Sequence, residues 1–516
     1  MIGTVAALYR LARAGFVMAR EGVFSGVEID LTPPPAHVPL RLANMLARRK
    51  QAATRADRIS TALARLGPSY IKLGQFLATR PDLVGMAVAR DLETLQDRLP
   101  SIPLDKAKVR IEEALGRPCD EIFETIEPAL AAASIAQVHK ATMRDPDTGE
   151  IKPVAVKVLR EGVQARFARD LSTFYIAAKL LERTTPALRR LRPVAVVDTL
   201  AASVRLEMDL RLEAAALAEM AENTKDDEGF RVPSVDWDHS SSQVMTIEWI
   251  DGRKLSDVAG IRADGHDLEK LGALVMQSFL RHAMRDGFFH ADMHPGNLFV
   301  EPDGTLVAVD LGITGRLGLA ERRFLAEILF GFITRNYRRT AEVHFEAGYV
   351  PAHHDVDSFA QALRAIGEPI HGRNASQISM GRLLTQLFEV TDLFDMRTQP
   401  QLILLQKTMV VVEGVARTLD PNLDIWKTAD PVVSTWIRSN LSPVRQAEEA
   451  AKAVGALARF ATDAPEMLGK VQRIANAFDP DNPNSALLAK PRTNGWVWPG
   501  VVTLGIIAFA LVAIVD

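Results

Sequence analysis

Apolar positions recur with a helical period over most of this chain, and with a strand period only in its middle third. From residue 1 to about Phe24, Val5, Leu8, Leu11 and Phe16 are interleaved with Arg10, Arg13 and Arg20. That pattern predicts an amphipathic helix, packed on the fold or lying on a membrane surface. Its charges interrupt any signal-peptide core. Pro33-Pro34-Pro35 marks a linker. A helix follows between Pro68, suited to a first turn, and Pro81, which stops it.

Strands are predicted at Glu121 to Ile126, Gln137 to Met143, Pro153 to Leu159 and Val244 to Glu248, with a turn at Asp145 to Gly149. Leu268 to Arg285 returns to the helical period. The short runs Leu298 to Val300 and Leu306 to Val309 predict a hairpin turned at Pro302-Asp303-Gly304. Leu319 to Thr334 reads as an amphipathic helix, and the chain from Thr340 to about Asn476 is largely helical, including Gln401 to Thr418 and Pro443 to Phe460. After a polar linker at Pro480 to Asn494, Trp496 to Val515 is almost uninterrupted apolar sequence. Its length is close to the roughly 20 residues a bilayer core requires, and Lys490 and Arg492 before it favour a cytoplasmic N-terminal side.

Composition narrows the class. A chain of 516 residues can hold two or three domains, and a net charge of −3 gives no support for nucleic-acid binding. One cysteine, Cys119, excludes an internal disulfide framework. No flavin or nicotinamide fingerprint is present. The histidines at 344, 353, 354 and 371 are scattered and read as surface residues.

Chemistry concentrates between His290 and Gly312. Asn297 follows Asp292 by five positions, and Asp310 follows Asn297 by thirteen, with the hairpin between them. A hairpin returns the chain, so Asp310 can come back beside Asn297 and both can reach one metal ion. Phosphoryl transfer needs a carboxylate near the attacking oxygen, an amide and a second carboxylate on Mg²⁺, and a lysine on the phosphates. Lys157 is a candidate for the last part. It stands inside the apolar run Val154-Ala155-Val156-Lys157-Val158, where an unpaired ammonium is costly and implies an anionic partner. This spacing matches the kinase pattern of a strand lysine, a catalytic-loop Asp and Asn, and a metal-binding Asp.

Two further features need explanation. On the helix after Pro68, Lys72, Gln75 and Thr79 share a polar face, with Gly74 beside it. Glycine costs about 1 kcal/mol of helix propensity there, which makes sense where another surface approaches closely. Farther on, Glu207, Asp209 and Glu213 lie in a helical stretch. Glu207 and Glu213 sit about 120° apart round a helix, so they need not face one partner.

The motif Lys-Leu-Gly-Gln at Lys72 to Gln75, with Leu-Gly-Pro before it and Thr-Arg-Pro-Asp-Leu after it, resembles the signature of the UbiB family of atypical kinase-like proteins. The resemblance runs from about Leu63 to Asp310. It implies that Ala131, Ala132, Ala133 and Ser134 form the family's Ala-rich phosphate loop, where ordinary kinases have glycines. It also implies that Glu213 pairs with Lys157, while Glu207 and Asp209 face Lys72 and Gln75 as an N-terminal extension folded across the cleft. Glu248 and Ile250 would offer backbone to adenine at the interlobe connector. Ala291 replaces the arginine of the kinase His-Arg-Asp, and Leu311 replaces the phenylalanine of Asp-Phe-Gly. The sole Ala-Pro-Glu, at 464–466, is too late in the chain to anchor a peptide platform.

The expected fold is α+β, a protein-kinase-like two-lobe fold with an N-terminal helical extension, a helical C-terminal region and one C-terminal transmembrane helix. Its expected divisions are 1–55, an arm and linker; 56–118, the extension; 119–250, the N-lobe; 251–400, the C-lobe; 401–490, a helical region; and 496–515, the anchor. The expected function is a membrane-anchored kinase or ATPase that binds ATP with Mg²⁺ and serves ubiquinone biosynthesis by acting on or extracting a lipid-soluble quinone precursor. Asp292, Lys157, Asn297 and Asp310 carry the chemistry, with Asn297 and Asp310 on the metal. Expected partners are ATP, a lipid or quinone precursor, the membrane, other quinone-biosynthesis enzymes and a second copy of the chain, but no nucleic acid. The expected location is a bacterial inner membrane, single-pass, with the catalytic domain cytoplasmic. Two other readings stay open: a small-molecule kinase of the aminoglycoside or choline type, and a nucleotide-gated scaffold without turnover.

Overall fold

The computed structural model describes residues 2–25, 34–47, 54–78, 80–85, 88, 91–92, 101–133, 135–145, 148–184, 189, 192–369, 390, 393–396 and 400–440. Among the described residues the chain forms two compact units, one within Met1–Leu317 with Thr398–Leu423 and a second within Gly318–Arg397 with 424–440.

The first unit opens with four helices, α1 (Ile2–Arg20), α2 (Pro34–Leu46), α3 (Arg55–Leu66) and α4 (Pro68–Ala78). A reciprocal cap starts α3: Thr54 Oγ1 accepts from the Asp57 amide, and Asp57 Oδ2 accepts from the Thr54 amide. Ile59, Ala62, Leu63 and Leu66 are its buried face, at the spacing a core-facing helix requires. Gly67 separates α3 from α4 at φ +107°, and a Cβ there would overlap the Arg166 guanidinium. The Leu-Gly-Pro motif thus has a steric reason.

After α5 (Leu104–Leu115), a five-stranded sheet has the order β1-β2-β3-β6-β5, built from β1 (Thr125–Ala132), β2 (Ala136–Arg144), β3 (Ile151–Leu159), β5 (Val235–Asp236) and β6 (Val244–Glu248). Val154, Val156 and Val158 of β3 are buried against Ile111, Cys119, Phe123 and Met143. Strand alternation therefore turns Lys157 to the opposite face. Burial pushes the Cys119 thiol up, in keeping with a structural role. One predicted strand is corrected here. Cys119–Ile122 is a helical turn, and β1 begins only at Thr125. Between β3 and β6 stand α6 (Val163–Thr184), α7 (Pro193–Glu207) and α8 (Leu210–Thr224). Helices α1 and α4 both pack on α6.

The rest of this unit hangs on α9 (Leu268–Arg281), whose buried Leu271, Val275, Met276 and Phe279 define its inner face. It runs on into a π-helical turn, His282–Asp286, stopped by Gly287 at φ +66°. Helix Pro400–Leu419 packs on α9, close enough that a Cβ on Gly272 would sit 3.0 Å from Ala416 O. A four-stranded sheet, β4-β10-β9-β7, holds Phe230–Arg231, Leu306–Ala308, Leu298–Val300 and Arg253–Lys254, while β8 (Phe288–His290) pairs with β11 (Thr314–Arg316). The hairpin is β9-β10, with Leu306 opposite Val300 and Gly304 at φ +90° in its turn.

The second unit has helices Leu319–Ile333, Tyr337–Glu346, Val356–Gly367 and Ile425–Asn440, with a core of Tyr337, Val350, Phe359, Leu363 and Phe394. His353 and His354 are not isolated in space: their Nε2 atoms lie 3.7 and 3.3 Å from Asp395 Oδ2. Among the described residues no helix is long and apolar enough to cross a membrane. The segment 496–515, expected to span one, lies outside the described residues, as do Pro443 to Phe460 and the linker at 480–494.

Candidate active site

Strand β3 and helix α8 bring the first two groups together. Lys157 Nζ donates to Glu213 Oε1 at 2.7 Å and Oε2 at 2.9 Å; Glu213 is buried and Lys157 largely so. Asp310 completes the cluster, with its Oδ1 3.2 Å from the same ammonium. Burial pushes the Lys157 ammonium down, but the Asp310 and Glu213 carboxylates outweigh it and hold it above the ordinary lysine range. Glu213 goes the other way. Burial raises its carboxyl to about 7 despite the attraction of Lys157. The Lys157 ammonium holds the Asp310 carboxyl down to about 2, outweighing its partial desolvation.

Asp310 follows β10 with φ +63°, a region that a non-glycine residue enters only when its surroundings demand it. The demand is visible next door: the Val309 amide donates to Asn297 O at 2.9 Å, so the hairpin's return seats Asp310 beside the Asn297 segment. Asn297 Nδ2 donates to Asp292 O at 3.1 Å, with Asp292 Oδ2 at 3.4 Å. That bond fixes the amide plane and commits its nitrogen, so Asn297 Oδ1 is the atom left to accept or coordinate.

His290 holds the loop from behind. Its Nδ1 accepts from the Asp292 amide at 3.1 Å, so Nε2 carries the proton and donates to Val309 O at 3.1 Å. Burial keeps the imidazole neutral, against the pull of Asp292 and Asp310. One imidazole thus ties the residue before Asp310 to the residue carrying the Asp292 carboxylate. Sequence reasoning missed a second support. Thr408, from the Pro400–Leu419 helix, is buried with its hydroxyl 3.0 Å from Ala291 O and 2.8 Å from Leu404 O one turn back, so its single proton is shared between the two carbonyls. Nothing in the spacing of residues separated by 117 positions could have revealed it.

The Ala-rich stretch is mostly strand. Ala131 and Ala132 pair with Val138 and Gln137, and the turn begins at Ala133, whose carbonyl accepts from Arg160 Nε at 2.9 Å. Alanine lacks glycine's ready access to positive φ and its conformational entropy, and here β1 continues into the region expected to be loop. Ser134 lies outside the described residues. Behind the turn, His139 donates from Nδ1 to Glu127 O at 2.8 Å and accepts at Nε2 from Gln137 Nε2 at 2.8 Å.

At the connector, Glu248 is held by Arg231, whose Nη2 and Nη1 donate to Oε1 and Oε2 at 2.8 and 3.0 Å. Arg231 also donates to both Glu301 carboxylate oxygens, so one guanidinium joins the end of β6 to the hairpin. The Glu248 amide donates to Ser234 O at 2.9 Å, which ties the end of β6 to the segment before β5. Ile250, two residues on, is buried.

Lys72 on α4 is ion-paired with Glu207 at the end of α7, and both side chains are largely buried. Gln75 is partly buried one turn along α4, and Thr79 lies outside the described residues. Asp209 departs from the expected arrangement. It caps α8 by accepting from the Arg211 amide at 3.2 Å and binds the Arg211 guanidinium at 2.7 and 2.9 Å. An N-cap position imposes this, because the side chain must turn to its own helix's first amides.

Known proteins match this arrangement. The ABC1 atypical kinase-like domain matches residues 94–344, and the UbiB helical domain matches residues 363–424. A probable protein kinase UbiB of Marinobacter nauticus is 37% identical over 84% of this chain and 80% of its own length. A probable protein kinase UbiB of Pseudomonas putida is 41% identical over 77% of this chain and 74% of its own length. A solved structure of Rv3197 with erythromycin, from Mycobacterium tuberculosis, aligns at 25% identity and a TM-score of 0.48, covering 73% of this chain and 95% of that one. With a lysine, a glutamate and an aspartate converging as a kinase cleft requires, and relatives this similar over most of its length, the chain belongs to the UbiB family of ABC1 atypical kinase-like proteins.

Proposed function

We propose that this protein binds ATP with Mg²⁺ in the Lys157–Asp310 cleft and cleaves or transfers the γ-phosphate in support of ubiquinone biosynthesis. The observation that carries the reading is the convergence of Lys157, Glu213 and Asp310 within hydrogen-bond distance. A lysine held between two carboxylates stays charged and aimed, ready to take phosphate oxygens. Asn297 Oδ1 and the Asp310 carboxylate are hard oxygen donors of the kind Mg²⁺ prefers. When bound, that ion would neutralise charge on the transferring phosphoryl group. Asp292 would orient or deprotonate the acceptor, with its backbone anchored through His290 and its side chain beside Asn297.

The acceptor side is distinctive. A helix begins at Leu319, directly after the strand that follows Asp310, which leaves little chain for the peptide platform of ordinary protein kinases. The buried Lys72–Glu207 pair ties the N-terminal extension to the helix that precedes the Glu213 helix, a feature that favours this reading over a soluble aminoglycoside or choline kinase. The apolar segment 496–515 would hold the cleft beside a bacterial inner membrane, which suits a lipid-soluble quinone precursor.

The decisive measurement is Mg²⁺-dependent ATP turnover by detergent-solubilised protein, with and without a phenolic quinone-precursor mimic. Asp310→Asn is expected to lose turnover by roughly a hundredfold or more while remaining folded. Turnover equal to wild type in that variant would remove the metal assignment. Nucleotide binding without phosphate release under any condition would leave the scaffold reading instead.

A further inference from the structure

Between α1, α4 and α6 the folded chain forms a recess of about 170 Å³ that the proposed chemistry does not use. Four arginines line it, Arg10 and Arg13 from α1 and Arg166 and Arg169 from α6, together with Tyr70 and the buried Asp170. Four guanidiniums and one carboxylate thus line one recess, drawn from the two helices α1 and α6. Like charges gathered in a concavity repel one another and are relieved when an anion joins them.

Three of the four have neutral partners, which aim them without neutralising them. Arg10 donates from Nε to Thr173 Oγ1 at 2.9 Å and from Nη2 to Ser172 Oγ at 3.2 Å. Arg166 donates from Nη2 to Leu66 O at 2.9 Å. The third, Arg169, donates from Nε to Ala165 O at 3.3 Å. Arg13, Arg166 and Arg169 are exposed, and Arg10 is partly buried. Burial, with Asp170 beside it, pushes the Tyr70 hydroxyl up to about 12, so it remains a neutral donor. Planar guanidiniums with spare N–H groups, plus a hydroxyl donor, are the donor set that phosphate oxygens fit.

We propose that this recess is a binding site for a phosphate-bearing anion. Its surroundings suggest which source to test beside free phosphate. Tyr9, Arg13, Phe16 and Arg20 recur at helical spacing along the exposed face of α1, with Tyr9 71% and Phe16 47% exposed. On α2, which packs against α1, Val38, Leu42, Met45 and Leu46 are also exposed at helical spacing. Apolar and basic side chains on one surface are the pattern of a helix that meets anionic lipid, so a phosphodiester headgroup is the natural second arm.

The test follows thermal unfolding of the full chain in neutral detergent at fixed ionic strength. Its three ligands are inorganic phosphate, short-chain dihexanoylphosphatidylglycerol and dihexanoylphosphatidylcholine. The wild type is expected to be stabilised by phosphate, by the phosphatidylglycerol or by both, and the phosphatidylcholine to have less effect. The double variant Arg13→Gln, Arg169→Gln is expected to lose apparent affinity by at least about tenfold, equivalent to about 1.4 kcal/mol. The charge-matched control Arg117→Gln, Arg262→Gln, at exposed sites elsewhere, is expected to keep it. A response to phosphatidylglycerol alone assigns a lipid headgroup, and a response to inorganic phosphate assigns a site open to the free ion. No response from the wild type, or equal responses from both double variants, overturns the site.

Discussion

Glu213 holds Lys157 from 56 positions farther along the chain, at 2.7 and 2.9 Å, while Asp310 reaches the same ammonium from 153 positions away. Burial and the charges of this cluster together set how Lys157 and Glu213 ionise, and the first two predictions follow from that.

Lys157→Met replaces the ammonium with an apolar group of similar length. Glu213 then sits buried without its cation and is expected to take up a proton, which limits the loss of stability. ATP turnover should fall by roughly a hundredfold or more, with weakened nucleotide binding by equilibrium titration. A variant that unfolds less than wild type and still turns over ATP normally would contradict the phosphate role of Lys157.

The Glu213 carboxyl, raised to about 7, makes stability depend on pH in a defined direction. Its native form binds a proton more tightly than the unfolded chain, whose value is near 4.5. The resulting stabilisation is complete below that value and is lost as pH rises through about 7. Denaturant unfolding from pH 4.5 to 8 should therefore show wild type losing stability relative to Glu213→Gln as pH rises. Parallel pH profiles for the two proteins would refute the shift.

Lys72 and Glu207 form a largely buried pair between α4 and α7. Removing either alone strands the other charge, whereas removing both does not. A double-mutant cycle of Lys72→Ala and Glu207→Ala is expected to give a coupling energy of about 1–3 kcal/mol in unfolding. If α4 also covers the cleft, Lys72→Ala should change nucleotide preference or self-phosphorylation in protein that is still folded. Additive single variants would show that the pair contributes nothing to holding the extension.

Thr408→Val keeps shape and removes one hydroxyl. Ala291 O then loses its share of the hydroxyl proton that it divides with Leu404 O, costing about 1 kcal/mol. Ala291 immediately precedes Asp292, so turnover should fall alongside the melting temperature. A drop in stability with kcat unchanged would make Thr408 a packing residue alone.

Gly67→Ala places a Cβ against the Arg166 guanidinium at a backbone φ of +107°. The strain should lower stability by more than about 1 kcal/mol, read from the shift in thermal unfolding. Gly116→Ala, at φ +70° with open space around it, serves as the comparison and should cost less.

Much of this protein was determined by local pattern. Alternation in Val154 to Val158 turned Lys157 away from the core, and the Pro302-Asp303-Gly304 turn fixed the hairpin that returns Asp310 to the Asn297 segment. These are short-range consequences of side-chain period and turn chemistry, so the primary structure carries them. Helix propensity likewise placed α4 between its two prolines.

Tertiary structure decided the rest, because it alone chooses between partners of equal chemistry. Glu207 and Asp209 are both acids two residues apart, yet Glu207 ends α7 and meets Lys72, while Asp209 begins α8 and must cap it. The Glu248 amide was paired with Ser234, the alanines after Glu127 were drawn into β1, and Thr408 found Ala291 across the fold. Arg10 with Arg13, and Arg166 with Arg169, each sit one helical turn apart, but the two pairs are far apart in the chain and share a recess only because α1 and α4 both pack on α6.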